Sequence, residues 1–148
     1  RIARGQIRDL KQFNPASFDG LLLPGGVGAA KNLSNWAFEG ADASVLPGVE
    51  EAISGMVALK KPVGALCISP VILAKVLGKV DLTIGNDEST IDALESLGAN
   101  HVYTTHGEVV VDPDHMLVTT PCYMLDASID QIADGANNVV DAMIKLME

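Results

Sequence analysis

Cys67 sits where a short apolar run, Val63-Gly64-Ala65-Leu66, meets Ser69-Pro70 and the helical pattern that follows from Val71 to Leu77. A thiol at such a joint can serve as a nucleophile. On a tight strand-to-helix turn the side chain is pushed out above the sheet, and the residues two positions away on each side must be small to fit. Here they are Ala65 and Ser69. The free N–H groups and the positive dipole end of the following helix favour the thiolate, which is the reactive form of the side chain.

A thiolate that adds to a carbonyl creates an oxyanion, and that charge needs donors. Pro24-Gly25-Gly26 closes another apolar run, Leu21-Leu22-Leu23, and forms a flexible turn suited to the task. The expected donors are the N–H groups of Gly26 and Ile68, with Gly25 alongside in the substrate site. Both loops fall at the carboxyl ends of apolar strands, where open α/β sheets place their sites. Lys31 and Asn32 extend the substrate-binding set, because a helix start in a Gly-rich loop can contact an anion, although polar residues are ordinary there.

Other candidates read more plainly. Cys122, after Thr119-Thr120-Pro121, is expected to pack as a small hydrophobe. His101 starts a strand, His106 precedes Gly107 in a turn, and His115 lies at an Asp-Pro-Asp turn, so each is expected to be structural or solvated. Asp87 and Glu88 follow Gly85-Asn86 and read as helix capping residues. The two cysteines are far apart with no CxxC spacing, and no His or Cys cluster has ligand spacing. Neither a disulfide framework nor a metal site is therefore expected.

The elements that must position these residues follow from periodicity. Leu46-Pro47 to Lys60 carries Val49, Ile53, Met56, Val57 and Leu59 near helical spacing, and Pro62 stops that helix. Val63–Leu66 reads as a strand, Pro70–Leu77 as a helix ended by Gly78, Val80–Ile84 as a strand, Glu88–Leu97 as a helix stopped by Gly98, and His101–Thr105 as a strand. Val109–Val111 and Met116–Thr119 flank Asp112-Pro113-Asp114, so a hairpin is expected. The last helix is expected to run from about Ser128 to Leu146, with Ile129, Ile132, Val139, Val140, Met143, Ile144 and Met147 on its buried side. Alternation of strand and helix predicts an α/β fold: one domain over residues 1–148, with a mostly parallel sheet between helices and a C-terminal β-hairpin.

Composition bounds the partners. Nearly half the residues are apolar and a fifth are charged, which is ordinary for a folded domain. The net charge of −9 and the scattered Lys and Arg leave no basic stripe for a nucleic acid. No apolar run approaches the roughly 20 residues that cross a bilayer, so no membrane partner is expected. The chain reads as cytoplasmic, with a mitochondrial form as the alternative. It opens without Met and without the apolar first strand of such folds, so a first βαβ unit is expected to precede Arg1.

Leu22-Leu23-Pro24-Gly25-Gly26-Val27-Gly28-Ala29-Ala30-Lys31-Asn32-Leu33-Ser34, followed by Gly64-Ala65-Leu66-Cys67-Ile68-Ser69-Pro70, resembles the PfpI/ThiJ class I amidotransferase-like superfamily. More narrowly it resembles the enhancing-lycopene-biosynthesis branch, the isoprenoid-biosynthesis glyoxalase-like proteins. Arg1-Ile2-Ala3-Arg4-Gly5, Leu82-Thr83-Ile84-Gly85, Val118-Thr119-Thr120-Pro121 and Tyr123-Met124 extend the match. The resemblance implies a flavodoxin-like three-layer sandwich, a homodimer, Cys67 as nucleophile, and Gly26 and Ile68 as oxyanion donors. It also implies glyoxalase chemistry on a small-molecule carbonyl substrate without cofactor or metal, or else a catalytically weak redox-sensing or binding module. The His that superfamily proteases and amidotransferases pair with the thiol is absent: Ile68 follows Cys67, and the later match falls on Gly85-Asn86. Proteolysis and glutamine hydrolysis are thus not expected. The superfamily's buried Glu is expected in the first βα unit, upstream of Arg1.

Overall fold

The computed structural model describes residues 4–148, so Arg1, Ile2 and Ala3 of the amino-terminal match lie outside the described residues. The main sheet has four strands: β1 (Leu21–Leu23), β2 (Val63–Leu66), β5 (Val110–Asp112) and β6 (Leu117–Thr120), in the order β1-β2-β6-β5. β1 and β6 both run parallel to β2, with Leu23 facing Ala65 and Leu66 facing Thr120. β5 closes the edge as the antiparallel arm of the hairpin, with Val111 facing Val118. The expected flavodoxin-like, mostly parallel sheet with helices on both sides is what forms.

Strand alternation divides the core. Val63 and Ala65 of β2 and Leu117 of β6 join the larger apolar cluster, and α3 (Pro47–Ala58) and α4 (Pro70–Leu77) cover that face with Ile53, Met56, Val71 and Ile72. Leu66 and Val118 belong to a second cluster with Val139 and Met143 of α6 (Ile129–Met147) on the opposite face, whereas Ile129, Val140, Ile144 and Met147, expected on the buried side of that helix, are exposed. Every residue of β2 and β6 is buried, as expected for central strands covered on both sides. Gly64 makes this close packing possible. A Cβ there would lie 2.6 Å from both Leu22 Cδ1 and Met143 Sδ and 3.0 Å from Val139 Cγ1.

Helix ends follow their local chemistry. Pro47 and Pro70 open α3 and α4 at a position where the missing N–H costs nothing. Asp87 caps α5 (Glu88–Ser96) by accepting from the Thr90 N–H at 3.0 Å. Two short helices, α1 (Val27–Lys31) and α2 (Trp36–Glu39), follow β1.

The stretch read as a strand from Val80 to Ile84 behaves differently. Only Asp81–Leu82 (β3) of that stretch is strand, in a separate parallel ribbon with Asn100–His101 (β4), where the Asn100 N–H donates to Val80 O and the Val102 N–H to Leu82 O, both at 2.9 Å. Side chains replace the missing ladder. The Thr83 N–H donates to Thr119 Oγ1 at 2.9 Å, the Thr83 and Thr104 hydroxyls share a bond of 2.7 Å, and the Ile84 N–H donates to His101 Nε2 at 3.2 Å. All of these partners are buried. Hydroxyls and an imidazole thus satisfy the backbone where a continuous strand would have used carbonyls.

Candidate functional site

The turn after β2 holds Cys67 at φ 61°, in the left-handed region that non-glycine residues rarely adopt. Backbone bonds on both sides fix it there. The Cys67 N–H donates to Thr120 O at 3.0 Å, tying the thiol's backbone to the end of β6, and the Ser69 N–H donates back to Leu66 O at 3.0 Å. Ala65 and Ser69 are fully buried beneath the turn, which confirms why both must be small. The side chain of Cys67 is left half-buried at the surface of the sheet's carboxyl end.

The Pro24-Gly25-Gly26 turn lies directly against this elbow. Gly25 has φ 91°, and a Cβ on it would come within 2.7 Å of Leu66 O and 2.8 Å of Cys67 Cβ, so glycine alone fits. Gly26 has φ 84° with open space around it. Among the described residues neither the Gly26 N–H nor the Ile68 N–H is taken by a backbone or side-chain acceptor. Two free donors therefore stand on the two loops that meet at the thiol.

A cavity of about 770 Å³ opens between them, lined by Gly25, Gly26, Leu66, Cys67 and Ile68 and closed across by Cys122, Tyr123, Met124 and Ile132. The wall is apolar, and its titratable members are Cys67, Cys122 and Tyr123. Lys31 and Asn32 are not brought into it. They stand exposed at the far end of α1, where Asn32 is the C-cap and the Lys31 ammonium lies 5.8 Å from the centre of the Phe38 ring.

Each histidine has a different place. His101 is buried and accepts from the Ile84 N–H, and His115 pairs with Asp112 at 2.9 Å in the hairpin. His106 lines a neighbouring hollow with Asn86 and Asp126 that shares only the Met124 wall with the thiol cavity. Glu88 accepts from the Tyr103 hydroxyl. Among the described residues no group of three or more His, Cys, Asp and Glu is arranged to hold a metal ion, and no helix is long and apolar enough to cross a membrane.

Cys122 is the residue that sequence reasoning placed in the packing and the fold places in the site. It sits at φ 44° just past β6 and is half-buried, facing the Cys67 cavity. Burial pushes its thiol pKa up and the neighbouring Cys67 sulfur pushes it further, while the Cys67 backbone N–H works the other way. No signal in the sequence points to it, because what brings Cys122 to the site is the parallel pairing of β2 and β6.

Comparison with known proteins places this geometry. No family model matches the sequence. The chain is 38% identical over 155 aligned positions to the human protein named glutamine amidotransferase-like class 1 domain-containing protein 3, mitochondrial, covering 99% of this chain. It spans 58% of that relative's length. Among solved structures, an isoprenoid biosynthesis protein with an amidotransferase-like domain from Ehrlichia chaffeensis has a TM-score of 0.91 and 33% identity, over 99% of this chain and 68% of that one. Drosophila melanogaster DJ-1beta has a TM-score of 0.55 at 22% identity, over 93% of this chain and 68% of its own, which is a likeness of fold.

Proposed function

We propose, from the premise that this chain belongs to the PfpI/ThiJ class I amidotransferase-like superfamily in its isoprenoid-biosynthesis branch, that it converts small dicarbonyls to hydroxy acids through Cys67. The observation that carries this reading is the junction of a half-buried thiol with two unoccupied N–H donors, those of Gly26 and Ile68, at one apolar cavity. For glyoxal, the Cys67 sulfur forms a bond to one aldehyde carbon, and the oxyanion that results is received by the two N–H groups before it takes a proton. The proton on that carbon is then removed and returned to the neighbouring carbon, which leaves a glycolyl thioester. Water adds to the thioester, the C–S bond breaks, and glycolate and the free thiol leave. Glyoxal and one water account for every atom of the product.

The proton transfer asks for an acid–base group. The cavity lining supplies only thiols and the Tyr123 phenol, and that favours a second reading: a small-molecule-binding or redox-sensing module of the same superfamily. Turnover separates the two. Conversion of glyoxal to glycolate by the intact protein, followed by NMR, should be abolished by Cys67→Ala. Unchanged turnover in that variant removes Cys67 from the chemistry, and no turnover in the wild type leaves the binding module.

By the same resemblance the protein is proposed to act as a homodimer, which sedimentation velocity checks directly. Its proposed setting is the cytoplasm, with a mitochondrial location, as in the human relative's name, the alternative that imaging of a tagged protein decides.

A further inference from the structure

We infer that Cys122 is the resolving partner of Cys67, and that a hydroperoxide converts the two thiols to an intramolecular disulfide across the mouth of the cavity. Both sulfurs belong to residues that line the same 770 Å³ space, and both residues are half-buried, so a small oxidant can reach them. The register brings them together. Leu66 faces Thr120, and Cys67 and Cys122 are the first and second residues beyond that facing pair. The Cys67 N–H donates to Thr120 O at 3.0 Å, so the two cysteines leave the ends of directly paired strands, and a disulfide between them asks for a Cα separation of about 4.4–6.8 Å. Both backbones are at positive φ, at 61° and 44°, and the Cys67 N–H is bonded to Thr120 O, two residues before Cys122. The burial that holds Cys122 protonated favours Cys67 as the thiol oxidised first.

The steps balance as follows. The Cys67 sulfur attacks one oxygen of hydrogen peroxide, the S–O bond forms as the O–O bond breaks, and the released hydroxide takes a proton to become water. The Cys122 sulfur, giving up its proton, then bonds to the Cys67 sulfur as the S–O bond breaks, and a second water leaves. Two thiols and one peroxide yield one disulfide and two waters, and a dithiol reductant restores the starting state. This inference rests on Cys67 being the reactive thiol of the proposed function, and not on glyoxal turnover.

The test uses the intact, reduced protein treated with stoichiometric hydrogen peroxide, quenched with N-ethylmaleimide and mapped by mass spectrometry without reduction. Joint loss of both alkylation sites is expected, with recovery of one Cys67–Cys122 cross-linked peptide that dithiothreitol opens. In Cys122→Ser, Cys67 should run on to the sulfinate, and in Cys67→Ser, Cys122 should stay a free thiol. Phenylarsine oxide, which bridges two thiols, gives a readout that needs no oxidation. It should bind the wild type and release neither single variant's lone thiol from alkylation. Sulfinate on Cys67 with Cys122 still alkylated in the wild type, or a disulfide only between two chains, overturns the pairing. A Cys67 inert to both peroxide and maleimide overturns the reactive-thiol reading beneath it.

Discussion

Gly25 is the position at which a single methyl group would do most damage to the site. Its backbone lies in the left-handed region, and the space a Cβ needs is held by a backbone carbonyl and by Cys67 itself, neither of which can rotate away. Gly26 differs in one respect only, since its positive φ is accompanied by open space. At φ 84° and ψ 167° Gly26 holds a backbone conformation open essentially to glycine, so Gly26→Ala should cost about 1–3 kcal/mol of stability from backbone strain alone and leave the elbow in place. Gly25→Ala should cost more and displace the Cys67 turn, so that the thiol's rate of alkylation by iodoacetamide changes in this variant alone; equal behaviour of the two would refute the close approach. The dipeptide and the small residues around Cys67 were legible in the sequence because a turn and an elbow are local constraints on neighbouring residues. Cys122 was not legible, because what brings it to Cys67 is the pairing of strands more than fifty residues apart.

Elements were readable where periodicity was long, as in α3, α4 and α6, and where punctuation was strong, as with Pro62 before β2 and Gly78 after α4. The Val80–Ile84 reading gave way because threonine hydroxyls from Thr83, Thr104 and Thr119 stand in for strand carbonyls, a substitution that β-branched composition cannot reveal. At this scale the packing of α6 on β2 is the feature most open to test. Gly64 sits where Leu22, Met143 and Val139 converge, so Gly64→Ala should overpack the interface and cost about 1–3 kcal/mol in urea denaturation. Two of the three neighbours are the ends of flexible side chains. Shortening one should relieve part of the strain, so the Gly64→Ala, Met143→Ala double variant should lose less stability than the two single losses added together. Strict additivity would show that α6 and β2 do not press on each other there.

For the whole molecule, two of the groups through which stability depends on pH lie buried in the side-chain ladder and the hairpin. Burial lowers the pKa of His101 against the opposing pull of Glu95 and Glu88, and its Nε2 is committed to accepting from the Ile84 N–H. A proton on that nitrogen would set two donors against each other where Asp81–Ile84 meets β4. As pH falls from the ordinary histidine value of about 6.5, the unfolded chain takes up this proton before the folded one does, so stability is full above that value and declines below it. Asp112 adds a second step of the same sign. Burial raises its pKa, but the Asp81 N–H at 2.9 Å, the His115 N–H at 3.0 Å and the His115 ring together hold it below the usual carboxylate value. Its contribution is therefore present above about pH 4 and is lost further down. Urea denaturation from pH 8 to pH 3 should show a plateau and then two declines. His101→Gln keeps an acceptor for the Ile84 N–H but cannot titrate, so it should erase the upper decline and spare the lower one. If the variant's profile overlays the wild type's, the imidazole is not what couples the β3–β4 ribbon to pH.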